Sequence, residues 1–184
     1  MEFARSPRSI GAIAPSSRAL ARRMLEGLNL ANASSVCEFG PGTGSFTEAI
    51  LSEIGPNTRF FAVEKCPAMA AALRGRFPNL KVLNENILNI SELSKSQGID
   101  GLDAIVCGLP WAAFDADFQK AGLEATWNAL KGGGKFVTFA YTFGAWLPAG
   151  RRFAGVIRKQ FATVTKSPVV WANLPPAFVY RCVK

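Results

Sequence analysis

The residues of this chain best placed to do chemistry form one run, Val36-Cys37-Glu38-Phe39-Gly40-Pro41-Gly42-Thr43-Gly44-Ser45-Phe46. A short apolar stretch ends in an acid and breaks into alternating glycines, and Phe46, Ile50, Leu51 and Ile54 follow at helical spacing. The pattern predicts strand, tight loop, helix. Alternate glycines let the backbone turn sharply and leave no Cβ between a ligand and the amides at the helix N-terminus, which carries partial positive charge. A small, partly anionic ligand is expected there. A second acid supports this: the buried-strand pattern Arg59-Phe60-Phe61-Ala62-Val63 ends at Glu64, 20 residues past Gly44. Nucleotide-binding α/β folds place a carboxylate at about this spacing, ~20 residues, to accept both hydroxyls of a ribose. A ligand-free turn and an acid capping the helix that Pro67 begins would account for each feature singly, but not for the spacing between them.

The elements that must position these groups alternate along the chain. Gly55-Pro56-Asn57 breaks the first helix from the second strand, Pro67 to Arg76 is helical, and Leu80-Lys81-Val82-Leu83 is a third strand. Asn84-Glu85-Asn86-Ile87 follows its tip. Gly101 to Cys107 makes a fourth strand that runs into Gly108-Leu109-Pro110-Trp111. Asp115 or Asp117 caps a helix through Leu130, Leu130 to Gly134 turns the chain, and Phe136 to Tyr141 is a fifth strand. Arg151 to Gln160 reads as a helix, Phe161 to Val170 as a strand and Phe178 to Val183 as the last strand. The fold class is therefore α/β: a mostly parallel seven-stranded sheet with helices on both faces and an antiparallel C-terminal edge. Ligands in such sheets sit outside the carboxyl ends of the strands, so Gly108, Leu109, Pro110 and Trp111 should wall the reacting centre.

Composition bounds the rest. A chain of 184 residues, 49% hydrophobic and 18% charged, suits one domain, taken as 31–184, behind a short basic segment, 1–30. No apolar run reaches the ~20 residues that cross a bilayer. The N-terminus has arginines at Arg5 and Arg8 but no uninterrupted apolar core with a cleavage site, so a cytoplasmic protein is expected. Cys37, Cys66, Cys107 and Cys182 are too dispersed for zinc or redox pairs and are expected as free thiols. With no histidine in the chain, a histidine base is excluded and no metal is expected. The net charge of +8 is uneven: residues 1–23 carry +4, residues 24–150 carry −3 with nine basic against twelve acidic residues, and residues 151–184 carry +7. Positive ends favour anionic lipid or nucleic acid, although a charge of ~2–8 also serves solubility. Ser16 or Ser17 caps a helix from Arg18 to about Leu28, with Leu20, Met24, Leu25 and Leu28 on one face and Arg18, Arg22 and Arg23 on the other. Such a helix either lies in the headgroup region of an anionic bilayer or packs on the sheet edge.

The third glycine of the loop arrives one residue earlier than in the dinucleotide fingerprint, and the acid stands two residues before the first. E-x-G-x-G-x-G resembles the first motif of class I S-adenosylmethionine-dependent methyltransferases. The resemblance implies that Glu38, Gly40, Gly42, Gly44 and Phe46 hold the amino-acid end of S-adenosylmethionine. It places Glu64 with Lys65 at the ribose, Asn86 with Ile87 at the adenine, and Cys107 at the tip of the strand beside it. Asn86 stands where that class usually has aspartate; its carbonyl oxygen still accepts.

Within the class, ribosomal RNA adenine dimethylases carry N-L-P-Y after the fourth strand, where asparagine grips the target amine. Here that position is Gly108, which weighs against RNA. Ile10-Gly11-Ala12-Ile13-Ala14-Pro15-Ser16-Ser17, Cys107-Gly108-Leu109-Pro110-Trp111 and Trp171-Ala172-Asn173-Leu174-Pro175-Pro176-Ala177 resemble bacterial phosphatidylethanolamine N-methyltransferases. The resemblance implies methylation of phosphatidylethanolamine, and of its mono- and dimethyl forms, by a protein held peripherally on the inner membrane by its basic N-terminal helix. Trp111, Tyr141 and Tyr180 would line a cationic headgroup site, and Arg151 and Arg152 would hold the lipid phosphate. An RNA or small-molecule amine methyltransferase, and a cofactor-binding protein without catalysis, are the alternatives.

Overall fold

A computed structural model describes residues 16–184. The Ile10–Ser17 motif therefore lies outside the described residues except for Ser16 and Ser17, as do Arg5 and Arg8. Seven strands form one sheet: β1 (Ser35–Phe39), β2 (Arg59–Val63), β3 (Lys81–Leu83), β4 (Leu102–Cys107), β5 (Leu130–Tyr141), β6 (Thr163–Lys166) and β7 (Ala177–Val183). Their order is β3-β2-β1-β4-β5-β7-β6, parallel from β3 to β5 and antiparallel at β7 and β6. The register aligns the strand tips: Phe39 pairs with Val63 on one side and with Cys107 on the other. The glycine loop, Glu64 and Gly108 thus leave the sheet side by side.

Helices cover both faces, because nearly every position of the central strands is buried and successive side chains point to opposite sides. On one face α1 (Arg18–Leu25) and α2 (Ser45–Glu53) pack over Val36, Ala104, Val106, Val137, Phe139 and Val179. The other face, with Phe39, Ile105, Phe136 and Tyr180, is covered by α4 (Ile90–Ser96), α5 (Ala116–Ala129) and α6 (Pro148–Gln160). The helix α3 (Pro67–Arg76) covers the β2–β3 edge through Ala70 and Leu73.

The boundaries differ from expectation where glycine or packing intervenes. β5 begins at Leu130 rather than Phe136, because the glycine run 132–134 stays in the ladder as an irregularity: Leu102 pairs with Leu130, but Ala104 with Lys135. β6 ends at Lys166, and beyond it only a bridge between Val170 and Ala177 continues the pairing. Asp115, not Asp117, caps α5, its Oδ1 accepting from the Phe118 amide at 2.8 Å.

The largest correction concerns α1. Ser17 caps it, accepting from the Leu20 amide at 3.2 Å, and the helix stops at Leu25, three residues before the expected end at Leu28. Leu20, Met24 and Leu25 are buried in the protein's own core against α2, β5 and β7. At about 2 kcal/mol per buried side chain of this size, that face is committed to the fold and is not left for a bilayer. The end of α1 is tied to β7, where Arg181 donates to Arg23 O at 2.6 Å and to Glu26 O at 3.0 Å, covering carbonyls that a helix end leaves unpaired. Arg23 pairs with Glu26 at 2.9 Å, whereas Arg18 and Arg22 stay exposed.

Candidate active site

The glycine loop is built as a cradle. Gly40, Gly42 and Gly44 all have positive φ, 60°, 56° and 86°, and Gly44 is the N-cap of α2. The loop is fixed from three sides: Gly40 N donates to Val63 O at 2.9 Å, Gly108 N donates to Phe39 O at 2.8 Å, and Arg76 donates to Thr43 O at 2.6 Å while pairing with Glu48 at 2.7 Å. A cleft of about 240 Å³ opens over it, lined by Gly40, Gly42 and Phe46 and by Gly108, Phe139 and Tyr141. Phe46 and Phe139 meet edge to face at 5.8 Å, making an apolar floor. Ser16 and Met69 complete the rim.

The two acids sit where the strand tips put them, in different environments. Glu38 is fully buried; Thr47 Oγ1 donates to its Oε2 at 2.6 Å, and its Oε1 has no partner. Burial pushes its carboxyl up to about 8, against the Thr47 hydrogen bonds and with a further push from Glu64. Glu64 is partly exposed. Its Oε1 accepts from the Cys66 amide at 2.8 Å, and its Oε2 is 3.4 Å from the Gly42 amide, so the carboxylate bridges the start of α3 and the loop.

Other expected cofactor contacts fall differently. Asn86 uses its carbonyl oxygen as a local cap, accepting from the Leu88 amide at 3.1 Å. Ile87 turns into the core beside Trp111 rather than standing free to pack on a ring. Lys65 is exposed, and its carbonyl accepts from Asn84 at 3.0 Å. Cys107 is buried; burial lifts its thiol to about 11, although the Leu109 amide, Thr138 and Trp111 pull the other way. All four cysteines are free thiols.

The expected acceptor wall is only partly one. Gly108 and Pro110 line the cleft, and Leu109 covers Gly40 from below. Trp111, by contrast, is buried: it stacks on Phe153 at 5.1 Å and meets Phe136 edge to face at 6.2 Å. It anchors the wall without facing the cleft. Tyr180 is likewise buried, edge to face with Phe153 at 5.8 Å, because alternation along β7 sends it to the α6 side. Tyr141 does line the cleft, stacked on Phe143 at 5.7 Å. Burial holds its phenol above the ordinary value, so at neutral pH it is a hydrogen-bond donor and not a base. Both arginines are exposed; Arg152 donates to Gln119 Oε1 at 3.0 Å, and Arg151 lies over the Trp146 ring at 5.9 Å.

Two positioning residues escaped the sequence. Gln119, fully buried on α5, donates to Trp111 O at 2.7 Å and Ala149 O at 3.2 Å while accepting from Arg152, joining the acceptor wall to α6. Asn173 accepts from the Ser17 amide at 2.9 Å and donates to Pro175 O at 2.7 Å, clamping the start of α1 to the loop before β7. A polar side chain inside an amphipathic helix gave the only hint of Gln119. Asn173 lies within the Trp171–Ala177 motif, where nothing in the local sequence marks it as a clamp.

No family model matches the chain. An ornithine lipid N-methyltransferase of Singulisphaera acidiphila is 28% identical over 184 residues, spanning 98% of this chain and 92% of that protein. A ribosomal RNA small subunit methyltransferase A of Chlorobium phaeobacteroides is 38% identical over 71 residues, which is 39% of this chain and 26% of that one. Among solved structures, an O-methyltransferase from Bacillus cereus in complex with SAH superposes with a TM-score of 0.68 at 14% identity, covering 94% of this chain and 84% of that one. An S-adenosylmethionine-dependent O-methyltransferase from Thermotoga maritima gives 0.65 at 17% identity; it matches 89% of this chain, which spans 64% of its length. The fold is that of the class I S-adenosylmethionine-dependent methyltransferases.

Proposed function

We propose that the chain binds S-adenosylmethionine over the glycine loop and methylates the amine of a membrane-lipid headgroup. The residues present suit that cofactor. The loop offers backbone amides without intervening side chains, Glu64 presents a carboxylate at the β2 tip, and Glu38 Oε1 is a buried polar atom without a partner. When bound, the cofactor supplies an electrophilic sulfonium methyl whose leaving group departs neutral.

One observation carries the choice of a nitrogen acceptor: among the described residues lining the cleft, Tyr141 is the only ionisable one, and burial raises its phenol above the ordinary value. An alkyl amine titrates near the ordinary lysine range, ~10, and sheds its proton to water before attack. A hydroxyl acceptor would need a base or a metal-bound oxygen. The chain has no histidine, and no group of three or more metal-ligating side chains occurs among the described residues. What the protein must do is orient: Gly108 and Pro110 would face the acceptor, with Phe46, Phe139 and Tyr141 lining the cleft beside them.

The lipid is favoured by the 28% identical lipid N-methyltransferase and by the basic C-terminal stretch. Phosphatidylethanolamine and ornithine lipid both present a primary amine beside an anionic group, which the exposed Arg151 can meet. The backbone also disfavours a flipped adenine: a Cβ at Gly108 would stand 2.6 Å from Gly40 O, so no amine-gripping side chain fits there. The test is label transfer from methyl-labelled cofactor into lipid extracted from vesicles containing either headgroup. Label in one of the two names the substrate; label in neither, with cofactor binding intact by calorimetry, sinks the lipid acceptor.

A further inference from the structure

Eight large apolar side chains are exposed among the described residues, and their distribution is uneven. The five most exposed are Trp171 (77%), Leu174 (76%), Trp146 (73%), Phe143 (58%) and Leu147 (48%), and all lie on two segments. One follows β5 and the other precedes β7. These segments leave the same end of the sheet, because Tyr141 pairs with Ala177 and the Thr142 amide donates to Pro176 O at 3.0 Å. That end is the cleft's end: Tyr141 lines the cleft and stacks on Phe143.

Neither segment carries an acid. The last acidic residue of the chain is Glu124, so both segments lie in a 60-residue stretch with nine basic residues and no acid. Arg151 lies over the Trp146 ring at 5.9 Å. Arg18, exposed, follows Ser17, whose amide is bonded to Asn173 in the second segment.

We propose that this rim, built on the segments 143–147 and 171–174 and flanked by Arg151 and Arg18, is the surface that enters the interfacial layer of an anionic bilayer, holding the cleft against the lipid. The proposal rests on the lipid reading above and relocates the membrane contact from the apolar face of α1, which the core occupies. Tryptophan, phenylalanine and leucine are the side chains that settle at the headgroup level, and each arginine beside them adds attraction to anionic lipid. A second copy of the chain is a poorer occupant. Two-fold contact through this patch would bring the arginines of both copies together with no carboxylate on either segment to compensate.

The experiment is co-sedimentation with vesicles of phosphatidylglycerol and phosphatidylcholine, beside pure phosphatidylcholine, without cofactor or methyl acceptor. The parent should bind the anionic vesicles. Replacing Trp146, Trp171 and Leu174 together with serine should weaken binding by ~tenfold or more while leaving the heat of cofactor binding unchanged. A Trp127→Phe variant, altered away from the rim, should bind like the parent, and its emission should be quenched by brominated acyl chains; that second reading does not depend on the triple variant folding. Undiminished binding by a folded triple variant, or no quenching in Trp127→Phe, overturns the proposal. So does self-association of the parent that buries these tryptophans without vesicles. Failure of the parent protein to dock, with its methylation of detergent-dispersed lipid intact, ends this proposal alone; docking by the parent without methylation leaves it standing and removes the lipid acceptor.

Discussion

Thr47 Oγ1 donates a 2.6 Å hydrogen bond to Glu38 Oε2 across the gap between β1 and α2, in a place water does not reach. The other carboxyl oxygen has no partner, and burial raises the group to about 8 from 4.5. The folded protein therefore keeps a proton on Glu38 over a range in which the unfolded chain has lost it. From this group stability is greatest below about pH 4.5 and falls as pH rises toward about 8, where the carboxylate must be buried charged. The slope should approach ~1.4 kcal/mol per pH unit within that window. Glu38→Gln, neutral throughout, should remove this contribution, as read from urea midpoints at a series of pH values. Identical pH profiles for parent and variant would mean that Glu38 is already charged in the fold.

The resemblance places both Glu64 and Asn86 at the cofactor, but they have different capacity left for it. Glu64 contacts the loop amide of Gly42 only at 3.4 Å, while Asn86 already spends its carbonyl on Leu88. Calorimetry with S-adenosylmethionine should show Glu64→Ala weakening binding by ~tenfold or more, the scale of a lost charged hydrogen bond. Asn86→Ala should cost only a few-fold in affinity and about 1 kcal/mol in stability, as expected for a lost cap. Equal effects on affinity would restore Asn86 to the adenine.

How far the sequence could be read follows from which forces act locally. The strand-loop-helix at Glu38 to Phe46 was legible because glycine spacing and hydrophobic period are local signals, and the two acids fell at the strand tips as their spacing required. The amphipathicity of α1 was equally legible, but a moment does not say what covers the apolar face. Only the tertiary fold shows Leu20 and Met24 against the sheet. Trp111 and Tyr180 failed for a related reason: an aromatic after or within a strand can face the cleft or the core, and Phe153 on α6 decides for both. Gln119 and Asn173 act by bonds to distant backbone, which leave no periodic trace.

Gly108 is held by close approach rather than by an unusual backbone angle. A Cβ there would lie 2.6 Å from Gly40 O, closer than real contacts allow, and neither backbone segment is free to retreat: Gly108 N is bonded to Phe39 O and Gly40 N to Val63 O. Gly108→Ala should therefore push the β4 tip away from the glycine loop, costing ~1–3 kcal/mol of stability as overpacking does. It should weaken cofactor binding more than a distant substitution of equal destabilisation, such as Ala129→Gly. Thermal melts paired with calorimetry test this; unchanged affinity in Gly108→Ala would show that the loop tolerates the displacement.

Gln119 should affect the acceptor rather than the cofactor, because its bonds run to Trp111 O and Ala149 O and not to the glycine loop. Gln119→Leu keeps most of the volume but leaves the Trp111 carbonyl, and the Arg152 Nε that Gln119 Oε1 receives, without their partner, at a cost of ~1–3 kcal/mol for a buried group left unpaired. Gln119→Glu retains the acceptor for Arg152 and loses the donors. If the residue positions the wall, both variants should raise KM for the lipid or lower kcat while the dissociation constant for S-adenosylmethionine moves less than about twofold, well under the 1.4 kcal/mol of a tenfold change. Gln119→Glu should then keep Arg152 ordered yet still lose activity, since the donor to Trp111 O is what fixes the Gly108–Trp111 segment. Matched losses of cofactor and acceptor binding would instead make Gln119 a general strut of the α5–α6 layer.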